Sequence, residues 1–226
     1  MRRSLIPALA AALLLTGAVT AQAGSTPVVA AVQSPDYAAV LASPVRTDED
    51  RARDTPRHTA EPLASTGVRP GWKVADMIIG GGYFTRVFSA AVGPSGHVTA
   101  WQPDEFIGFQ ASYGEAVTAA DALPNVDGVH SAIGAPVFPS GLDLIFTAQN
   151  YHDLHLRPFA TDTAAKVNAA AFAALKPGGV YVIIDHDAVA GSDLTVPHTL
   201  HRIDRATLIA EVGAAGFVLD GSRDIP

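Results

Sequence analysis

Val74-Ala-Asp-Met-Ile-Ile-Gly-Gly-Gly-Tyr-Phe-Thr85 is the stretch on which the fold of this chain turns. An apolar run with one acid, Asp76, leads into Gly80, Gly81 and Gly82, and a helix start follows at Tyr83. That order is strand, glycine turn, helix. Residues without a side chain let the backbone approach a ligand closely, which nucleotide-type cofactors require of a loop after a strand. A tight structural turn uses glycines too, so the surrounding sequence has to decide.

Downstream, strand-like and helix-like segments alternate. A strand over 73–79 and a helix reaching about residue 91 are followed by the breaker Gly93-Pro-Ser-Gly96 and a strand over 97–101. Residues 104–122 read as one helix, 126–133 as a weak strand and 142–148 as a stronger one. Val167, Ala171, Phe172 and Leu175 recur near helical spacing over 164–175, and Pro177-Gly-Gly179 stops that helix. The apolar run 180–184 suits a parallel strand buried on both faces. Asp204 is placed to cap a last helix bearing Leu208, Ile209 and Val212; Gly216 ends it, and a sixth strand starts over 217–219. Repeated β-then-α order predicts an α/β fold, a Rossmann-like parallel sheet with helices on both faces.

Upstream, Arg2 and Arg3 precede an apolar stretch over 5–19, and Ala21-Gln-Ala23 offers a small-x-small cleavage site. Residues 1–23 therefore read as a secretory signal peptide, too short in its apolar part for a spanning helix, and the expected location is periplasmic. Cleavage after Ala23 leaves 203 of 226 residues (226 minus 23) and a charge of 13 minus 22, or −9. So acidic a chain is a poor nucleic-acid binder, and without cysteine it has neither a disulfide framework nor a lipoprotein anchor. Residues 24–45 read as a flexible arm and 46–226 as the folded domain. Within the latter, Thr47 is set to cap a helix carrying Asp48, Glu49 and Asp50. Pro56 suits a second helix start, Gly67 a stop, and the mixed-charge run 46–57 a solvated helix face.

Four blocks, 76–86, 142–153, 174–186 and 200–217, resemble class I S-adenosylmethionine-dependent methyltransferases. Ala174-Leu-Lys-Pro-Gly-Gly-Val-Tyr181 carries the likeness to the superfamily. Gly-Gly-Gly-Tyr-Phe-Thr followed by Asn150-Tyr-His-Asp153 carries a likeness to its exported group of predicted methyltransferases. The resemblance implies S-adenosylmethionine as cofactor and methyl transfer to a small-molecule or protein acceptor. It places Asp76, Gly80, Gly81, Gly82, Tyr83, Gln102 and Asn150 against the cofactor. His152 becomes a proton acceptor oriented by Asp153, with Asp185-His186 on the same sheet edge. The chain departs from the pattern at Ile78, where a glycine is usual, and at Gln102, where an acid usually grips the ribose hydroxyls. These departures keep open a non-catalytic binding protein on a degenerate scaffold. Thr85 in place of a third spaced glycine disfavours a nicotinamide-dependent oxidoreductase. His152 and His155, His186 and Asp187, and His198 and His201 raise a metal-binding enzyme as a further alternative. They lie on separate segments without an HExxH signature, so no metal site is expected. Too few residues follow 219 for an antiparallel seventh strand, so the final strand is expected to be missing and a sheet edge exposed.

Overall fold

The computed structural model describes residues 36–225; the predicted signal peptide and residues 24–35 of the predicted arm lie outside that range. Asp36 caps a short helix α1 (Tyr37–Leu41), accepting from the Ala38 and Ala39 N–H groups at 3.0 and 3.2 Å. Tyr37, Val40 and Leu41 share one face and pack into the core, so residues 36–45 are docked where a flexible arm is expected. Thr47 caps α2 (Asp48–Arg53) in a reciprocal capping box with Asp50. α3 (Ala60–Thr66) begins after a turn rather than at Pro56 and stops at Gly67, φ 61°.

The alternating part follows: β1 (Lys73–Met77), α4 (Tyr83–Val92), β2 (His97–Pro103), α5 (Asp104–Phe109), α6 (Ser112–Asp121), β3 (Val126–Ser131) and β4 (Leu142–Ala148). A 3₁₀ turn (His152–His155), α7 (Thr163–Ala174), β5 (Leu175–Ile184), α8 (Val196–Leu200) and α9 (Arg205–Ala214) complete it. The five strands are all parallel, in the order β3-β2-β1-β4-β5. Successive strand residues point to opposite faces. Val74, Val98, Leu144 and Phe146 pack on one face with Phe84 and Phe88 of α4. Ala75, Met77, Trp101 and Ile145 pack on the other with Val167 and Ala171 of α7. Helices cover both faces, as expected. Among the described residues no helix is long and apolar enough to cross a membrane.

Several local expectations are corrected. The helix over 104–122 is two helices, because Gln110 is extended (φ −148°, ψ 111°). β5 is an edge strand, so 180–184 is half-exposed instead of buried on both faces. Residues 217–219 form no strand; Phe217 packs on Phe172 and Tyr181, while Val218 and Leu219 are exposed. No antiparallel strand occurs among the described residues.

The charged run is solvated over most of its length, with Asp48, Glu49, Arg51 and Arg53 exposed, but Arg46 and Asp50 are each 2% exposed. Arg46 grips Asp54 with both terminal nitrogens, at 2.8 and 2.5 Å. Arg86 of α4 does the same to Asp50 through Nε and Nη2, at 2.5 and 2.7 Å. Burial pushes both carboxyls upward, but the paired guanidiniums outweigh it, and Asp50 and Asp54 end below their ordinary range. The run is thus the clamp that holds α2 against α4.

Candidate functional site

The strand order reverses between β1 and β4. In open parallel sheets the crevice at such a switch point, beyond the strands' carboxyl ends, is where ligands bind. Here its two walls are the loop 78–82 and the loop 149–153.

The first wall is held in an unusual backbone. Ile78, Gly80 and Gly82 have φ of 63°, 54° and 75°. Glycine takes that conformation freely; a β-branched residue there costs on the order of 1–3 kcal/mol and persists only when its surroundings enforce it. Two hydrogen bonds do so: the Ile78 N–H donates to the Trp101 carbonyl at 2.8 Å, and Asn150 Nδ2 donates to the Ile78 carbonyl at 3.0 Å. The departure at Ile78 therefore keeps the glycine-like backbone and adds a buried side chain. A Cβ at Gly80 or Gly81 would meet nothing within 4 Å, so the loop presents bare backbone to open space.

Asp76 lies beneath this loop, 3% exposed, accepting from the Thr85 hydroxyl at 2.6 Å. Burial raises its pKa to about 7 against the opposing pull of Thr85 and Arg86. Gln102 at the end of β2 is fully enclosed; its Oε1 accepts from the Gly80 N–H at 3.0 Å, and its Nε2 is buried without a partner. It braces the loop from below. Tyr83 is a correction: it is buried, with its hydroxyl on Asp54 and Thr59, and so belongs to the α2–α4 clamp instead of the crevice. Asn150 spends both amide hydrogens on the carbonyls of Ile78 and Ala148 (3.0 and 2.8 Å), which stitches the two walls together.

Arg57 was not singled out by sequence. Its Nη2 donates to Gln149 Oε1 at 2.8 Å, and its guanidinium lies 5.0 Å from the Tyr83 ring, at the mouth of the crevice. Burial and the neighbouring Arg53 lower its pKa, and Asp76 is among the charges that oppose this. The four arginines between 46 and 57 give no sequence signal for which one reaches 92 residues along the chain.

On the second wall His152 is 3% exposed and engaged on both ring nitrogens: Nδ1 lies 2.7 Å from Asp185 Oδ1 and Nε2 lies 3.2 Å from Asp153 Oδ1. The His152 backbone N–H donates to the other Asp185 oxygen at 2.7 Å. Burial pushes the imidazole pKa down, but the two carboxylates outweigh it and raise it to about 9. Asp185 is thus an anchor for His152. His201, at the end of α8 with φ 51°, brings Nδ1 to 3.8 Å from Asp153 Oδ1 and its ring to 5.4 Å from that of His152. The fold thereby gathers His152, Asp153 and His201, which sequence spacing kept apart. His155 turns away to Glu211, and His186 faces Gln149 at 3.3 Å.

Beyond the ends of β2, β3 and β4 runs a groove of about 540 Å³, lined by Glu105, Phe109, Ile133, Phe159 and Lys166. The Phe106 and Phe109 rings lie 6.0 and 6.4 Å from Phe159. The groove adjoins neither the glycine loop nor His152.

No protein-family model matches the sequence, and no curated protein does. Solved structures do match the fold. A SAM-dependent methyltransferase from Aquifex aeolicus is 22% identical over 76% of this chain and 89% of its own, with a TM-score of 0.54. CrArsM, an arsenic(III) S-adenosylmethionine methyltransferase from Chlamydomonas reinhardtii, is 20% identical with a TM-score of 0.55. That match spans 81% of this chain but 62% of the algal enzyme. At these identities it is the fold that is shared: the chain is built on the Rossmann-like α/β sheet found in class I S-adenosylmethionine-dependent methyltransferases.

Proposed function

We propose that this chain binds S-adenosylmethionine at the β1–β4 crevice and transfers its methyl group to a small-molecule or protein acceptor. The observation that carries this reading is the left-handed loop Ile78–Gly82 at the switch point, its bare backbone facing open space. The surroundings fit: Arg57 at the mouth supplies a cation for a carboxylate. When bound, the cofactor supplies a methyl sulfonium already activated for in-line displacement. What is asked of the chain is to hold and orient it, and to keep His152 and Asp153 at the acceptor end as a fixed polar wall. Ultraviolet cross-linking of radiolabelled S-adenosylmethionine, followed by peptide mapping, tests this placement. Label should fall on peptides containing 78–83 or 149–153, and label confined elsewhere refutes it.

A second reading, ligand binding without transfer, is favoured by Gln102. With its acceptor committed to the Gly80 N–H and its side chain enclosed, it offers a ribose no bidentate carboxylate grip. Retained binding with no turnover across a panel of acceptors would select it. We further infer export to the periplasm, supported by the Arg2-Arg3 pair, the apolar stretch and Ala21-Gln-Ala23. An N-terminus at Gly24 on protein recovered from the periplasm tests it, and an intact Met1 on all of the protein would refute it.

A further inference from the structure

We propose that His152, Asp153 and His201 form a binding site for a divalent cation of the zinc class, with Asp185 as the residue that orients His152. One donor atom from each of the three residues lies within 4.8 Å of the others. The Asp153 oxygen is 3.2 Å from His152 Nε2 and 3.8 Å from His201 Nδ1. A tetrahedral ion with ligands at about 2.0–2.2 Å holds its donors roughly 3.3–3.6 Å apart, so small side-chain rotations close the set.

Three features make this more than a chance meeting of polar groups. First, Asp185 holds the opposite nitrogen of His152 at 2.7 Å and its backbone N–H at 2.7 Å, which directs Nε2 toward Asp153 and His201. A carboxylate behind a ligating histidine is the usual outer partner of a protein metal site. Second, His201 is placed by the fold. Its left-handed backbone is fixed by its N–H bond to the Pro197 carbonyl at 3.1 Å. The adjoining Ile203 N–H donates to the His186 carbonyl at 3.0 Å, tying this segment to the end of β5. Third, Asp153 Oδ1 faces both imidazoles, and an ion bound there takes the place of the proton at His152 Nε2. Two histidines and one carboxylate leave at least one coordination position open, and the exposed side of His201 turns it toward solvent. The inference stands apart from the methyl-transfer reading, because binding is measured without cofactor.

The test is a calorimetric titration of the full, untagged chain with Zn²⁺, paired with Co²⁺ absorption spectra. One equivalent of saturable binding is expected, with visible bands of a nitrogen- and oxygen-ligated ion of low coordination number. His201→Ala should keep the melting temperature of the metal-free protein and weaken Zn²⁺ binding at least about tenfold. Asp185→Asn should weaken it by about 10–100-fold. No saturable binding by the wild type would overturn the site. So would undiminished binding in His201→Ala, which would place the ion on other histidines.

Discussion

Asn150 Nδ2 donates to the Ile78 carbonyl at 3.0 Å, and through that bond the end of β4 holds the end of β1 in its strained turn. The crevice is thus one unit, since the residue that departs from the usual glycine on one wall is secured by a side chain of the other. Asn150→Asp keeps the shape but turns two donors into acceptors facing the carbonyls of Ile78 and Ala148. It should lower stability by about 2–3 kcal/mol, and Asn150→Ala by about 1–2 kcal/mol. Urea unfolding of both variants would show it, and equal, negligible losses would remove Asn150 from this role.

The strain at Ile78 reverses an ordinary ranking. In a strand or helix alanine is favoured over glycine by about 0.5–1 kcal/mol, but at φ 63° glycine should be the better tolerated residue. Both Ile78→Ala and Ile78→Gly lose a buried side chain. Ile78→Gly should nevertheless be more stable than Ile78→Ala by about 1 kcal/mol in denaturant midpoints at equal slope. The opposite order would mean that the backbone is not left-handed at this position.

Asp76 gives the protein a dependence on pH with a defined sign. Its pKa is raised by burial from 3.8 to about 7. Its contribution to stability is therefore complete below 3.8 and is lost as pH rises through about 7. Compared with Asp76→Asn, which cannot ionise, the ligand-free wild type should lose on the order of 2–3 kcal/mol between pH 5 and pH 8. Parallel stability profiles for the two proteins would contradict the buried, unpaired state of this carboxyl.

The clamp between α2 and α4 predicts a coupling. Arg86→Ala strands Asp50 as a buried charge and should cost about 3–5 kcal/mol. Adding Asp50→Ala should cost little more, because the pair is lost once. Additive losses in the double-mutant cycle would show that Arg86 and Asp50 act separately.

How much of this was legible beforehand depended on the range of the interactions. The β-then-α alternation is written in local apolar periods and glycine stops, so the sheet and its covering helices followed from sequence. So did the Thr47 and Asp204 caps, whose partners are three residues away. The strand expected over 217–219 failed because a strand exists only with a neighbour to pair with, and Phe217 instead packs its ring on Phe172 and Tyr181. The solvated reading of 46–57 missed the burial of Arg46 and Asp50, because Tyr83 and Arg86, which meet this run, lie far along the chain. In the candidate site, the glycine loop and the segment 150–153 were visible as motifs. Asp185 behind His152, His201 beside Asp153 and Arg57 on Gln149 depend on contacts that only the assembled sheet edge creates.

The central claim is that the β1–β4 crevice takes S-adenosylmethionine, and calorimetric titration of the full chain measures that most directly. Saturable one-to-one binding is predicted, with S-adenosylhomocysteine competing for it and Arg57→Ala weakening it by about tenfold, the loss of one charge-assisted hydrogen bond. Absence of binding heat at millimolar concentrations of either ligand would contradict the account.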